Sequence, residues 1–334
     1  MESDGILIYG ELTSEYNVKT VVKQILTKAC SLKEKLENCS IKVCLIGNRR
    51  HYDELINELG VYGADEVIIT NDDRLENYDK NYYPEIFYQI AQKYRPQIIL
   101  LGSTAQGKEI AAYCASKFNT GLTADCTNLD IAENNRLLST RPTFGGQLTA
   151  DILCKTLPQM ATVQENIFKD KRIEHNAFAR FEWINIDEIE RKIEITDIIK
   201  KISEKKDITT SDIVISGGLG ACKDNGFELI NKFAQKINAA VSGSREAFEK
   251  GYITKAQQVG QTGKTISPKL YIAVGISGAN QHIAGIKNSG KIIAINKDEN
   301  APIFKYADYG LKGDLFKILD ELIRQYNTEK EEKQ

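Results

Sequence analysis

Leu270-Tyr-Ile-Ala-Val-Gly275, continued without a break by Ile276-Ser-Gly-Ala-Asn-Gln-His282, is the stretch on which the reading of the fold turns. An apolar run with no polar alternation, closed by a glycine, reads as a parallel strand buried on both faces. The small residues Ser277, Gly278 and Ala279 then form a tight turn that opens a helical turn. Free backbone N–H groups and aligned peptide dipoles at such a point favour a bound anion, and a pyrophosphate fits. Taken alone, a glycine turn of this kind also serves simply to reverse the chain.

Two neighbouring elements add to it. In Val259-Gly-Gln-Thr-Gly-Lys264 two glycines bracket Gln261 and Thr262, which suits the presentation of backbone and side-chain donors to a flat heteroaromatic ring. The spacing of a triphosphate-binding loop is absent, since only two residues separate Gly260 from Gly263. Ser242-Gly-Ser-Arg245 follows the apolar Ala239-Ala-Val241, so a strand end should deliver Arg245 to the same carboxyl edge. Ligands of open α/β sheets bind at that edge, and the convergence of three loops there predicts a nucleotide-like cofactor.

Outward from this core, DIVIS at 212–216, a helix over 225–238, KIIAIN at 291–296 and a helix over 313–324 complete a doubly wound domain over 206–327. The tail 328–334 is expected to fray. The first half has the same βαβ rhythm: ILIYG at 6–10, a helix over 18–36, IKVCLIG at 41–47, ELINELG at 54–60, EVIIT at 66–70, a helix over 83–94, QIILLG at 97–102 and a helix over 106–118. From about 120, LLSTRP, LTADILC and QMATVQ are short strand-like runs suited to hairpins or an added antiparallel layer. Residues 169–207 are dense in charge and read as a surface strand, a solvated helix and a linker. The fold class is therefore α/β in two domains. Residues 1–205 form an N-terminal domain with a parallel sheet plus added strands, and 206–327 the doubly wound domain.

Composition narrows the function. The chain has 334 residues, 42% apolar and 27% charged, and 44 basic against 46 acidic residues leave a net charge of −2. Such a balance gives no field for nucleic acid or anionic lipid. No run approaches the length of a membrane helix, and MESDGILIYGELTSE lacks the basic start and long apolar run of an export signal, so a cytoplasmic location is expected. Seven scattered cysteines without C-x-x-C spacing and three isolated histidines predict neither a disulfide scaffold nor a metal site. No Ser/His/Asp or Cys/His arrangement marks a catalytic residue.

Val259–Lys264, Tyr271–Ala279, Ala294-Ile-Asn-Lys-Asp298, Ala301-Pro-Ile-Phe304 and Ala307-Asp-Tyr-Gly310, in that order, closely resemble the FAD-binding domain of electron-transfer flavoprotein alpha subunits. The resemblance covers about 212–320. Thr120–Cys126, Thr140-Arg-Pro142, Phe144-Gly-Gly146 and Pro158–Thr162 extend it into the first half. It implies FAD as cofactor, with Ser244 and Arg245 beside the flavin, and with Val259, Gly260, Gln261 and Thr262 along its ring, Thr262 facing N5. It further implies that Ser277, Gly278, Ala279, Asn280, Gln281 and His282 hold the pyrophosphate and ribityl region, His282 reaching the pyrimidine carbonyl. Asn296, Asp314 and Leu315 lie against the adenosine part. A hydroxyl and a cation beside the ring would favour its reduced form.

The pattern departs from the family at Gly217-Gly-Leu-Gly220, where Leu219 replaces an arginine near the flavin, at Asn280 in place of an aliphatic residue, and at Gln106-Gly-Lys-Glu109. Loss of the arginine predicts a lower flavin potential. The resemblance also implies a heterodimer with a beta subunit, with 141–146 as a candidate interface element, and electron exchange with dehydrogenases of the acyl-CoA dehydrogenase type. An electron-bifurcating complex using NADH and ferredoxin stands open beside the simple carrier. A stand-alone nucleotide-dependent oxidoreductase is disfavoured by the lack of G-x-G-x-x-G after the first strand, and a redox-silent nucleotide sensor would be colourless.

Overall fold

The computed structural model describes residues 5–47, 52–70, 75, 77–143, 148–173, 179–185 and 206–332. The chain forms two compact units, and the division between them falls within 186–205, outside the described residues together with most of the expected charged linker.

In the first unit, strands β1 (Ile6–Tyr9), β2 (Ile41–Leu45), β3 (Glu66–Thr70) and β4 (Ile98–Gly102) alternate with helices α1 (Thr20–Lys33), α2 (Tyr52–Val61), α3 (Tyr83–Tyr94) and α4 (Ala105–Phe118). Then come β5 (Leu122–Cys126), β6 (Asn128–Ala132), β7 (Arg136–Thr143), β8 (Leu148–Leu153), β9 (Gln159–Val163) and β10 (Arg180–Ile184). Seven of these strands make one sheet in the order β10-β3-β2-β1-β4-β9-β5, with every pair parallel. Successive strand residues face opposite cores. Ile6 and Ile8 pack with Val22, Ile25 and Leu59, whereas Leu7 and Tyr9 pack with Phe87, Ile90 and Ile110. Both faces are dry, which is why the sequence shows apolar runs and no alternation.

The strands β6, β7 and β8 form the separate antiparallel layer expected of LLSTRP and LTADILC. QMATV behaves differently. As β9 it enters the parallel sheet between β4 and β5, fully buried. The amide of Gln159 makes this possible, because its Oε1 accepts from the Leu137 N–H at 2.7 Å in the buried interior.

The second unit contains β11 (Ile213–Gly217), α5 (Gly226–Lys236), β12 (Ala240–Gly243), α6 (Arg245–Glu249), β13 (Leu270–Val274), α7 (Asn280–Ile283), β14 (Lys291–Asn296), β15 (Tyr309–Lys312) and α8 (Leu315–Glu332). Its sheet is parallel throughout, in the order β12-β11-β13-β14-β15. One face buries Ile215, Ile272 and Val274 against Phe227 and Ile230 of α5 and Leu319 of α8. The other buries Val214, Tyr271 and Ala273 against Val259, Ile266, Ile283 and Ile303. The chain enters this sheet at β11, next to one edge, adds β12 at that edge and returns across β11 to build the other side, so the order reverses between β11 and β13. The last helix, α8, reaches Glu332, so it enters the segment expected to fray, whose Glu- and Lys-rich composition favours helix. Among the described residues no helix is long and apolar enough to cross a membrane.

Candidate functional site

A cavity of about 670 Å³ lies at the carboxyl ends of the second unit's five strands. Each strand sends its following loop to the wall: Gly218 to Gly220 after β11, Ser244 to Glu246 after β12, Gly275 to Ser277 after β13, Asn296 to Asp298 after β14 and Gly313 to Phe316 after β15. The reversal of strand order between β11 and β13 opens a crevice there, because their connections leave in opposite directions. The two turns are stitched together, the Gly218 N–H donating to Val274 O at 2.9 Å and the Gly220 N–H to Gly275 O at 3.1 Å.

The 258–264 segment closes another wall. Val259 N–H donates to Gly243 O at 3.0 Å, Gly260 N–H to Lys264 O at 3.2 Å and Gln261 N–H to Gln281 O at 2.7 Å, which lays this loop against α7. Gly260 has a φ of +129°, and a Cβ there would lie 2.9 Å from the Gln281 carbonyl oxygen, so no larger residue fits unstrained. Thr262 is exposed to the cavity, and its Oγ1 accepts from Gln258 Nε2 at 2.8 Å. Gln258 is held in turn by Lys255, whose Nζ donates to Gln258 Oε1 at 2.9 Å and to the Thr262 carbonyl at 2.6 Å. With its lone pair engaged, the Thr262 hydroxyl keeps its proton free to donate.

Ser244 caps α6, accepting from the Ala247 N–H at 3.5 Å and donating to Glu246 Oε2 at 2.7 Å. That hydroxyl holds the Glu246 carboxyl below the usual carboxylate range. Arg245 stands at the rim, its Nε donating to Glu249 at 2.7 Å. Asn296 fastens the end of β14 to the loop after β13, with Nδ2 donating to Ile276 O at 2.9 Å. Asp314 caps α8 by accepting from the Phe316 N–H at 2.9 Å, and Leu315 is buried beside it.

His282 is the most enclosed titratable group of the wall. Its Nε2 lies 2.8 Å from the hydroxyl of the fully buried Tyr271. Burial pushes its pKa down to about 4, so the ring is neutral. Its Nδ1 is buried and makes no close hydrogen bond among the described residues, though the Val259 backbone beside it raises the ring's basicity slightly against the effect of burial.

Every residue singled out in the sequence stands on this wall except Gly278 and Asn280. Gly278, with a φ of +88°, turns back against Ile303, where a Cβ would sit 2.3 Å from the Ile303 nitrogen. Asn280 is exposed at the start of α7. That helix is a single turn, so an anion here relies on the backbone of the loop more than on an aligned dipole. The sequence reading missed Gln258, Glu246, Lys223 and Lys297, all on the wall. Lys223 had a signal: it follows Leu219 by one helical turn in the same loop. The expected interface segment 141–146 is described only to Thr143. The first unit has its own cavity of about 560 Å³, beside α2, but no glycine turn or strand-end convergence contributes to its wall.

Residues 6–188 match the electron transfer flavoprotein domain, and 207–287 match the electron transfer flavoprotein FAD-binding domain. The chain is 42% identical over 311 residues to an electron transfer flavoprotein subunit alpha of Thermoanaerobacterium thermosaccharolyticum, covering 91% of this chain and 92% of the relative. It is 38% identical over 302 residues to the acryloyl-CoA reductase electron transfer subunit beta of Anaerotignum propionicum, covering 81% and 82%. To the lactate dehydrogenase (NAD(+),ferredoxin) subunit LctC of Acetobacterium woodii it is 34% identical over 322 residues, covering 96% of this chain and 76% of that one.

Proposed function

The chain belongs to the electron-transfer flavoprotein family, as an alpha subunit that binds FAD and carries electrons, and on that premise we propose that the flavin lies across the carboxyl ends of β11 and β13 with its ring against Val259–Thr262 and His282. The observation that carries this placement is the convergence of all five strand-end loops on one cavity at the reversal of strand order. The wall suits the cofactor. His282 Nδ1 is buried with no close hydrogen bond among the described residues, and Gly260 lets its loop pack tightly against Gln281 and His282.

FAD supplies the redox chemistry when bound. The chain's own residues bind it, orient it and set the charge around it. The Thr262 hydroxyl, engaged as acceptor by Gln258, offers its proton to the ring. The neutral His282 offers a donor to the pyrimidine side without a buried positive charge. Asn296, Asp314 and Leu315 would form the adenosine end, and Ser277, Ala279 and Gln281 would hold the pyrophosphate. Arg245 contributes a cation from the rim once it leaves Glu249.

The working unit is a heterodimer with a beta subunit, an inference supported by the relatives' names, which describe subunits of larger assemblies. A CoA-ester oxidoreductase as redox partner is supported by the acryloyl-CoA reductase relative. Free cysteines, several of them buried, favour a reducing compartment such as the cytoplasm. The bifurcating reading, with NADH and ferredoxin as partners, is favoured by the name of the Acetobacterium relative.

One experiment tests the set. The chain is purified with its beta subunit, FAD is released by heat and counted per heterodimer, and NADH oxidation is assayed with and without ferredoxin. One FAD and no NADH oxidation support the simple carrier. Two FAD and ferredoxin-dependent NADH oxidation establish bifurcation. A colourless heterodimer refutes the flavin placement.

A further inference from the structure

Among the buried polar groups of the second unit, Tyr271 has no part in the cavity wall. It lies in the middle of the sheet, on the face that packs against α7, with no exposed surface. A tyrosine hydroxyl in such a place requires a partner: His282 Nε2 lies 2.8 Å from it, and, against the burial that raises the phenol's pKa, the Ser216 hydroxyl stands near enough to lower it. That ring lines the cavity.

A neutral imidazole carries one N–H and one lone pair, and whichever nitrogen accepts a hydrogen bond obliges the other to hold the proton. Between a phenol and an imidazole the phenol is the better donor and the ring nitrogen the better acceptor. We propose that Tyr271 is a positioning residue that donates to His282 Nε2 and thereby fixes the tautomer with the proton on Nδ1, so that His282 presents a donor, and not a lone pair, to the flavin. The inference rests on the ring placement proposed above.

Three observations support it. Nδ1 is enclosed and makes no close hydrogen bond among the described residues, while the Val259 backbone beside the ring favours a proton on it. Burial keeps the ring neutral, so it has a tautomer to fix. Burial likewise raises the pKa of the Tyr271 phenol, so it keeps its proton and stays a donor. With the other tautomer, Nε2–H would donate to the phenol oxygen and a lone pair on Nδ1 would face the carbonyl of the ring. Reduction places negative charge on that carbonyl, so the lone pair would repel where the N–H attracts.

The test is a double-mutant cycle on the FAD-loaded heterodimer, made of the wild-type protein, Tyr271→Phe, His282→Ala and the double variant. Flavin midpoint potential and FAD content are measured in each. Tyr271→Phe is expected to lower the ratio of reduced to oxidised flavin at fixed potential by roughly tenfold, the worth of one hydrogen bond to a charged acceptor. In the His282→Ala background the same substitution should change nothing. An effect of Tyr271→Phe that persists without His282 overturns the proposal. A His282→Ala protein with an unchanged potential refutes the ring placement itself and removes this inference with it. Nitrogen-15 NMR of the histidines in the wild-type heterodimer reads the tautomer without any variant except His282→Ala for assignment. Protonated Nδ1 supports the mechanism and protonated Nε2 refutes it.

Discussion

Acidification should destabilise the second unit through His282 before any carboxylate takes part. The ring has a folded pKa of about 4 against an ordinary value of 6.5. A buried base with a lowered pKa contributes nothing above pH 6.5, where both states are neutral. As pH falls below 6.5 the unfolded chain takes up a proton that the folded one refuses, and stability declines until about pH 4. A gap of about 2.5 units at about 1.36 kcal/mol each amounts to about 3 kcal/mol, roughly three quarters of it lost by pH 4.5. Glu246 does not confuse the window. Its carboxyl is lowered from 4.5, so the stability it contributes is present above pH 4.5 and is lost only below it. Urea unfolding of cofactor-stripped heterodimer, followed by far-ultraviolet circular dichroism at several pH values from 7.5 to 4.5, gives the wild-type curve. His282→Gln, which keeps an amide for Tyr271 but cannot titrate, should flatten it by about 2 to 3 kcal/mol over that range. Parallel curves for the two proteins, within about 0.5 kcal/mol, would show that the ring is not held neutral by burial.

Other changes at the site carry their own expectations. Leu219→Arg restores a cation to a half-exposed point of the cavity wall, and should raise the flavin midpoint potential by the equivalent of no more than about 1 kcal/mol; an unmoved potential rejects the link between Leu219 and the ring. Gln258→Leu removes the amide that engages Thr262, so its shift in potential should have the sign of Thr262→Val and should not add to it in the double variant. Additive shifts would separate the two residues. Gly278→Ala forces a Cβ against the Ile303 backbone at a positive φ, and a loss of about 2 kcal/mol or more in unfolding free energy is expected. A wild-type melting curve for that variant contradicts the tight turn.

The sequence was most legible where strand and helix alternate. EVIIT coincides with β3, the helix over 83–94 with α3, and KIIAIN with β14. Each has a period or a boundary signal that acts over a few residues. Sheet membership was less legible, because the partner of a strand is set by distant contacts. QMATV looked like a hairpin strand and instead fills the sheet between β4 and β5, where Gln159 also bonds to the Leu137 N–H. At the site, glycine turns and an Arg after a strand end were readable as motifs. Gln258 was not, since a glutamine in a polar run gives no sign that folding will bury it and aim its amide at Thr262.

The first unit's sheet is finished by a late arrival. β10 pairs Arg180 with Glu66 and covers the open edge of β3. On a ribosome adding about 5–20 residues per second, β3 emerges on the order of 6 to 20 seconds before β10 can reach it. During that interval the nascent domain carries an unpaired parallel edge, the kind of surface that recruits other chains. Synthesis rate between those two strands, and chaperone occupancy of the β3 edge, therefore bear on yield in a way that the finished protein's stability does not reveal.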